Sequence, residues 1–118
     1  MAQQQSVRDQ IRAATLGQKT QFKSKKFDYN GIEVEFRQPN LKDRKLLLKK
    51  SRDDKGELDM IEFIVWSVIS NTYAPGTSEK VFDASDYDAM MEQGTGSFVD
   101  QFGNEIAELM NVEDDVKN

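Results

Sequence analysis

Neither cysteine nor histidine occurs among the 118 residues, and there are only two prolines. The missing thiol excludes disulfides and thiolate chemistry. The missing imidazole removes the commonest general base, the usual partner of a serine or cysteine nucleophile, and the usual zinc ligand. Most familiar hydrolase and metalloenzyme sites cannot be built from what remains. Long apolar runs are absent too. The longest, residues 63–69, is interrupted by Ser67 and falls well short of the roughly 20 residues needed to cross a bilayer. Residues 1–6 are polar and rich in Gln, unlike a signal peptide. These absences predict a soluble cytoplasmic protein of one domain that needs no cofactor and binds no membrane.

Charge is abundant and unevenly placed. Residues 1–50 carry 12 Lys/Arg and 5 Asp/Glu, a net of +7, whereas residues 51–118 carry 4 and 16, a net of −12. Either the halves neutralise one another within the fold, or they serve head-to-tail contacts or different partners.

The pattern predicts an α+β chain, an N-terminal β-hairpin followed by a mainly helical domain of about four helices. Residues 1–24 read as a basic and polar segment, with a short helix capped by Ser6 and a linker from Gly17. In residues 26–37, Phe27 and Tyr29 alternate before Asn30-Gly31, and Ile32, Val34 and Phe36 alternate after it. Asn-Gly suits a type I′ turn, so these five apolar residues are expected on one buried face. Such a hairpin is marginal alone and needs a cover. Pro39 ends the strand. Asn40 is positioned to cap a helix to about Lys50, with Leu41, Leu47 and Leu48 facing the core.

Residues 57–71 predict a helix that is apolar on nearly all sides, and therefore either central or partly an interface. Tyr73-Ala74-Pro75-Gly76 reads as a turn and Val81-Phe82 as a short extended piece. Ser85 is expected to cap a helix to about Gln93, and Ser97 another with Phe98, Phe102, Ile106, Leu109 and Met110 inward. Residues 112–118 form an acidic tail, which leaves residues 25–111 as the domain proper.

Residues 51–62 have the length and Gly56 position of a calcium loop, but Ser51 takes the first ligand position and Lys55 the fifth, where an ammonium opposes a cation. A polar connection between helices explains them better. Asp83, Asp86 and Asp88 also suit a helix start, where negative charge complements the dipole, and no phosphate cradle accompanies them. The basic residues 19–26 with Phe22 and Phe27, extended by Lys42 to Lys50, form the one candidate nucleic-acid surface, without a recognition motif beside it.

The order of the pieces carries a resemblance. A strand ending in Val34-Glu35-Phe36-Arg37-Gln38-Pro39 leads to the basic helix beginning Leu41-Lys42-Asp43-Arg44. An apolar helix with Ile64-Val65-Trp66-Ser67-Val68-Ile69 follows, then Lys80-Val81-Phe82-Asp83-Ala84-Ser85-Asp86 and a small helix pair. Over residues 25–110 this resembles the tail assembly chaperones of long-tailed bacteriophages, whose Phe-(Thr/Asp)-x-x-Asp element is matched by Phe82, Asp83 and Asp86. The resemblance implies a non-enzymatic protein of the host bacterial cytoplasm, absent from the mature virion. Its partners would be the tape measure protein, which it keeps soluble, the tail tube protein, whose subunits it helps recruit, and further copies of itself. Many such proteins also exist in a longer frameshifted form. Leu47, Phe63, Trp66, Val68, Phe82, Phe98 and Phe102 are the candidate interaction residues. The alternatives are a nucleic-acid-binding regulator using the basic half, and a structural head–tail connector or tail terminator.

Overall fold

A computed structural model describes residues 6–17 and 23–110. Most of the expected linker and the acidic tail therefore lie outside the described residues. The elements run α1 (Val7–Thr15), β1 (Ser24–Tyr29), β2 (Ile32–Arg37), α2 (Leu41–Lys50), α3 (Met60–Asn71), β3 (Thr72–Tyr73), a 3-10 turn (Ala84–Asp86), α4 (Tyr87–Met91) and α5 (Phe98–Met110). The class is α+β, with a β-hairpin ahead of four α-helices. α1 starts as its cap residue predicts, with the Asp9 N–H donating to Ser6 Oγ at 3.0 Å, but it buries none of its residues.

The hairpin forms at Asn30-Gly31, both with positive φ (52° and 85°), as a type I′ turn requires. Its register pairs Phe27 with Val34 and Tyr29 with Ile32, so the five alternating apolar residues share one face. Four of them pack against the core, while Ile32 beside the turn stays 68% exposed. β3 is an addition to the expected architecture. It pairs antiparallel with β2, giving the sheet order β1-β2-β3.

On the opposite face, Glu35 and Arg37 hold the turn after β3. The Gly76 N–H donates to Glu35 Oε1 and Arg37 Nε donates to Glu35 Oε2, both at 2.9 Å. The Arg37 guanidinium also donates to the Thr77 carbonyl and lies 4.3 Å from the centroid of Tyr73. The Gly76 N–H, then Arg37, holds the Glu35 carboxyl below its usual range. A buried carboxylate is tolerable because its charge is compensated in this way.

α5 covers the apolar face of the sheet and packs on α3, which in turn contacts α2 and α4. Phe102 stands between the layers. Its ring meets Phe27, Tyr29, Phe36 and Phe98 at centroid distances of 5.8, 5.3, 5.1 and 5.4 Å, all near edge-to-face. That geometry is the favoured one for aromatic rings. Lys25 lies on the same strand face as Phe27, beyond the apolar cluster, and pairs with Glu105 and Glu108 of α5.

Several expectations are corrected here. The helix expected from residue 57 begins at Met60. Asp59 caps it, accepting from the N–H groups of Ile61 and Glu62, and Leu58 is drawn into a bridge with Arg52. Leu41 is 81% exposed instead of facing the core, because it lies at the very start of α2, before the turn that reaches α3, and Leu48 is only half-buried, outside the core cluster. Asp83 rather than Ser85 caps the next helical piece.

Gly103 sits where α5 packs against α3, and a Cβ there would lie 2.6 Å from Ile64 Cγ2. Ile64 is β-branched and stiff, so the helices themselves must yield. Gly103→Ala gains about 1 kcal/mol in helix propensity but is expected to lose about 1–3 kcal/mol to overpacking. Urea unfolding should give a lower midpoint, whereas an unchanged or raised midpoint would show that the approach does not limit packing.

Candidate protein-interaction surface

The seven candidate residues divide on folding. Leu47, Val68 and Phe102 are buried in the core, where their contribution is to the fold. Phe63, Trp66, Phe82 and Phe98 are only partly buried and pack at its margin. Trp66 stacks on Tyr87 at 5.0 Å between centroids, and the Lys50 ammonium sits 4.4 Å from the Trp66 ring centroid. Phe82 stacks on Phe98 at 5.8 Å. The seven do not form a single patch.

The Phe82-Asp83-x-x-Asp86 element has a local physical role. Phe82 anchors the chain on α5, and the two carboxylates form a reciprocal cap. Asp83 Oδ1 accepts from the Ser85 N–H at 2.8 Å, and the Asp83 N–H donates to Asp86 Oδ2 at 2.9 Å. The Ser85 hydroxyl and N–H hold the Asp83 carboxyl below its usual range. Residues 51–59 close likewise on themselves. Asp53 Oδ1 accepts from the Lys55 and Glu57 N–H groups, both at 2.9 Å, and Asp59 caps α3. These carboxylates satisfy backbone groups and do not converge on a point. Among the described residues no three acidic side chains are grouped to hold a metal, and no helix is long and apolar enough to cross a membrane.

Among the described residues, two larger open surfaces bear on binding. The first is a groove of about 330 Å³ between α3, α4 and the start of α5, lined by Ile61, Ile64, Met90, Met91, Val99 and Asp100 among others. The second is a depression of about 510 Å³ along α2, lined by Leu41, Arg44, Lys45, Leu48, Lys49 and Arg52. The spacing of that set, three and four residues apart, places it on one helix face. Its alternation of leucine and cation explains why the pattern did not reveal it. Ile61 and Met91 were hidden differently, since an apolar helix does not announce which of its sides lacks a neighbour.

No protein-family model and no curated protein matches the sequence. In three dimensions the chain is similar to the solved structure of the bacteriophage HK97 tail assembly chaperone. The two share a fold. The TM-score is 0.55 at 14% sequence identity, over 88% of this chain and 99% of the other. The tail assembly chaperone resemblance seen in the residues thus has a counterpart in the fold. In this chain, α2, α3 and α5 carry the buried members of the candidate set, and the two open surfaces lie at the periphery of the core.

Beside the Trp66–Tyr87 stack, a hydrogen bond fastens α4 to α3 at the wall of the groove. The Tyr87 hydroxyl of α4 donates to Glu62 of α3. That bond, with burial, pushes the Tyr87 phenol up from 10.0 to about 12. The neutral phenol is thus favoured by folding. Its stabilisation is intact below pH 10 and fades as pH rises towards about 12. Glu62→Gln should bring the Tyr87 tyrosinate absorbance step to lower pH and reduce stability at neutral pH. Tyr87→Phe identifies the step by removing it. A titration curve unchanged by Glu62→Gln would mean that the contact does not fasten α4.

Proposed function

We propose that this protein is a non-enzymatic tail assembly chaperone of a bacteriophage. It binds the tape measure protein, keeps that long client soluble in the host cytoplasm, and helps recruit tail tube subunits around it. Copies of the chain also associate with one another, and none remains in the finished virion. The observation that supports this most is the fold match, which runs along 99% of the other chain.

The physical surfaces suit the role. A client that must be held and later released calls for apolar contact without deep enclosure. The open groove beside Ile61 and Met91 offers such contact. The excess of acid in residues 51–118 keeps a complex soluble and favours basic client segments.

Co-expression with the tape measure protein tests the reading. The client is expected in the soluble fraction only when this chain is present, and Ile61→Gln combined with Met91→Gln should reduce the soluble yield severalfold. A client that precipitates equally with and without the chain overturns the proposal. Mass spectrometry of purified virions should find no copy of the chain; stoichiometric incorporation would favour a structural connector or terminator instead.

A further inference from the structure

The outward face of α2 combines charge with apolar surface. Residues 41–52 hold six Lys or Arg and one Asp. Leu41, Lys45 and Leu48 follow one another at helical spacing along the depression, which Arg44, Lys49 and Arg52 also line. Among the described residues, Arg44, Lys45 and Lys49 form no ion pair within 4.0 Å. Lys25 and Arg37, by contrast, are held by Glu105, Glu108 and Glu35. A cationic strip with leucines on its floor is complementary to a segment that is acidic and carries apolar groups at intervals.

Such a segment leaves the fold beside this face. The Gln38 side-chain amide donates to the Leu109 carbonyl at 3.0 Å, so the last turn of α5 is fastened to the chain just ahead of Leu41, where α2 begins. Residues 111–118 carry Glu113, Asp114 and Asp115, a single lysine, Lys117, and the valines Val112 and Val116. Eight residues reach roughly 26 Å when extended, against roughly 15 Å for the length of α2. The spacing matches as well. Along an extended segment, residues 112, 114 and 116 fall on one side at intervals of about 6.6 Å. Along α2, Leu41, Lys45 and Leu48 advance by about 6 and 4.5 Å. Valine, aspartate and valine thus fall in step with leucine, lysine and leucine.

From this we infer that residues 111–118 bind along α2 of the same chain, as an extended strap over its basic leucine face. Joined to that face by their own backbone, they act at a high effective concentration, so contacts too weak to hold a separate molecule suffice. The strap screens the cations of α2 from nucleic acid and other polyanions, and gives way to a longer or more acidic segment. A phosphate backbone would satisfy Arg44, Lys45 and Lys49 but leave Leu41 and Leu48 uncovered, whereas the strap brings a valine to each. The inference concerns the isolated chain and does not rest on the chaperone reading.

A spin label tests it, because the sequence has no cysteine and Asn118→Cys accepts a label at one place. Paramagnetic broadening of amide signals is expected at Leu48, Lys49 and Arg52, around the far end of α2, and should exceed that of the β1-β2 hairpin. Lys45→Glu/Lys49→Glu, at exposed positions, should abolish the excess, and so should raised salt. An unchanged thermal midpoint establishes that this variant folds, and the salt response of the natural face stands independently of it. Isotope-labelled natural chain mixed with spin-labelled chain lacking the isotope reports contacts between copies and should show no such broadening. In a calorimetric titration, Glu113→Gln/Asp114→Asn/Asp115→Asn should bind a polyglutamate peptide about fivefold more tightly than the natural chain, because the face is no longer covered. Broadening spread evenly over the molecule, or indifferent to salt and to the α2 variant, overturns the inference. So does broadening of α2 in the mixture, which assigns the strap to a neighbouring copy, and so does equal binding of polyglutamate by both chains.

Discussion

Two adjacent residues of α5 set the terms for the rest of the molecule. Phe102 fills the space beneath the sheet with four edge-to-face ring contacts, and Gly103 removes all side-chain bulk where α3 passes. Neighbours on a helix point about 100° apart, so one short segment faces both layers. The largest available contact meets the sheet and the smallest meets the helix. A single hairpin is too small to hold its own face dry, and α5 can cover it only while staying this close to α3. The hairpin, α5 and α3 consequently stabilise one another as a unit.

What that unit leaves over determines the surface. α3 contacts α2 and α5 and keeps α4 through Tyr87 and Trp66. Five residues of α4 cannot cover the whole flank of α3, so Ile61 and Met91 remain at an open groove. α2 reaches α3 through Leu47 and turns its leucine and cation stripe outward. The same packing that secures the core thereby exposes two apolar strips with opposite charge beside them. The excess of apolar residues in α3 is divided between both purposes.

Much of the fold was legible in the residues. Asn30-Gly31 specified the hairpin because few other residue pairs accept positive φ at both positions. Asn40 and Ser6 announced helix starts because their side chains serve backbone N–H groups locally. β3 was not legible, since two residues acquire strand geometry only from their partner on β2. Nor was the exposure of Leu41, because the buried side of α2 is chosen by where α3 lies. The candidate site was read less well. Leu47, Val68 and Phe102 have the same composition as interface residues, and only packing assigned them to the interior. The groove depended on distant segments meeting and left no local signature.

The span between the hairpin and its cover has a temporal consequence. Phe36 and Phe102 are far apart along the chain but share one ring cluster. A ribosome adding about 5–20 residues per second takes several seconds to pass from one to the other. During that interval the nascent polypeptide displays Phe27, Tyr29, Val34 and Phe36 without α5. The aromatic sheet face is thus transiently available to other chains during synthesis, and completing α5 withdraws it.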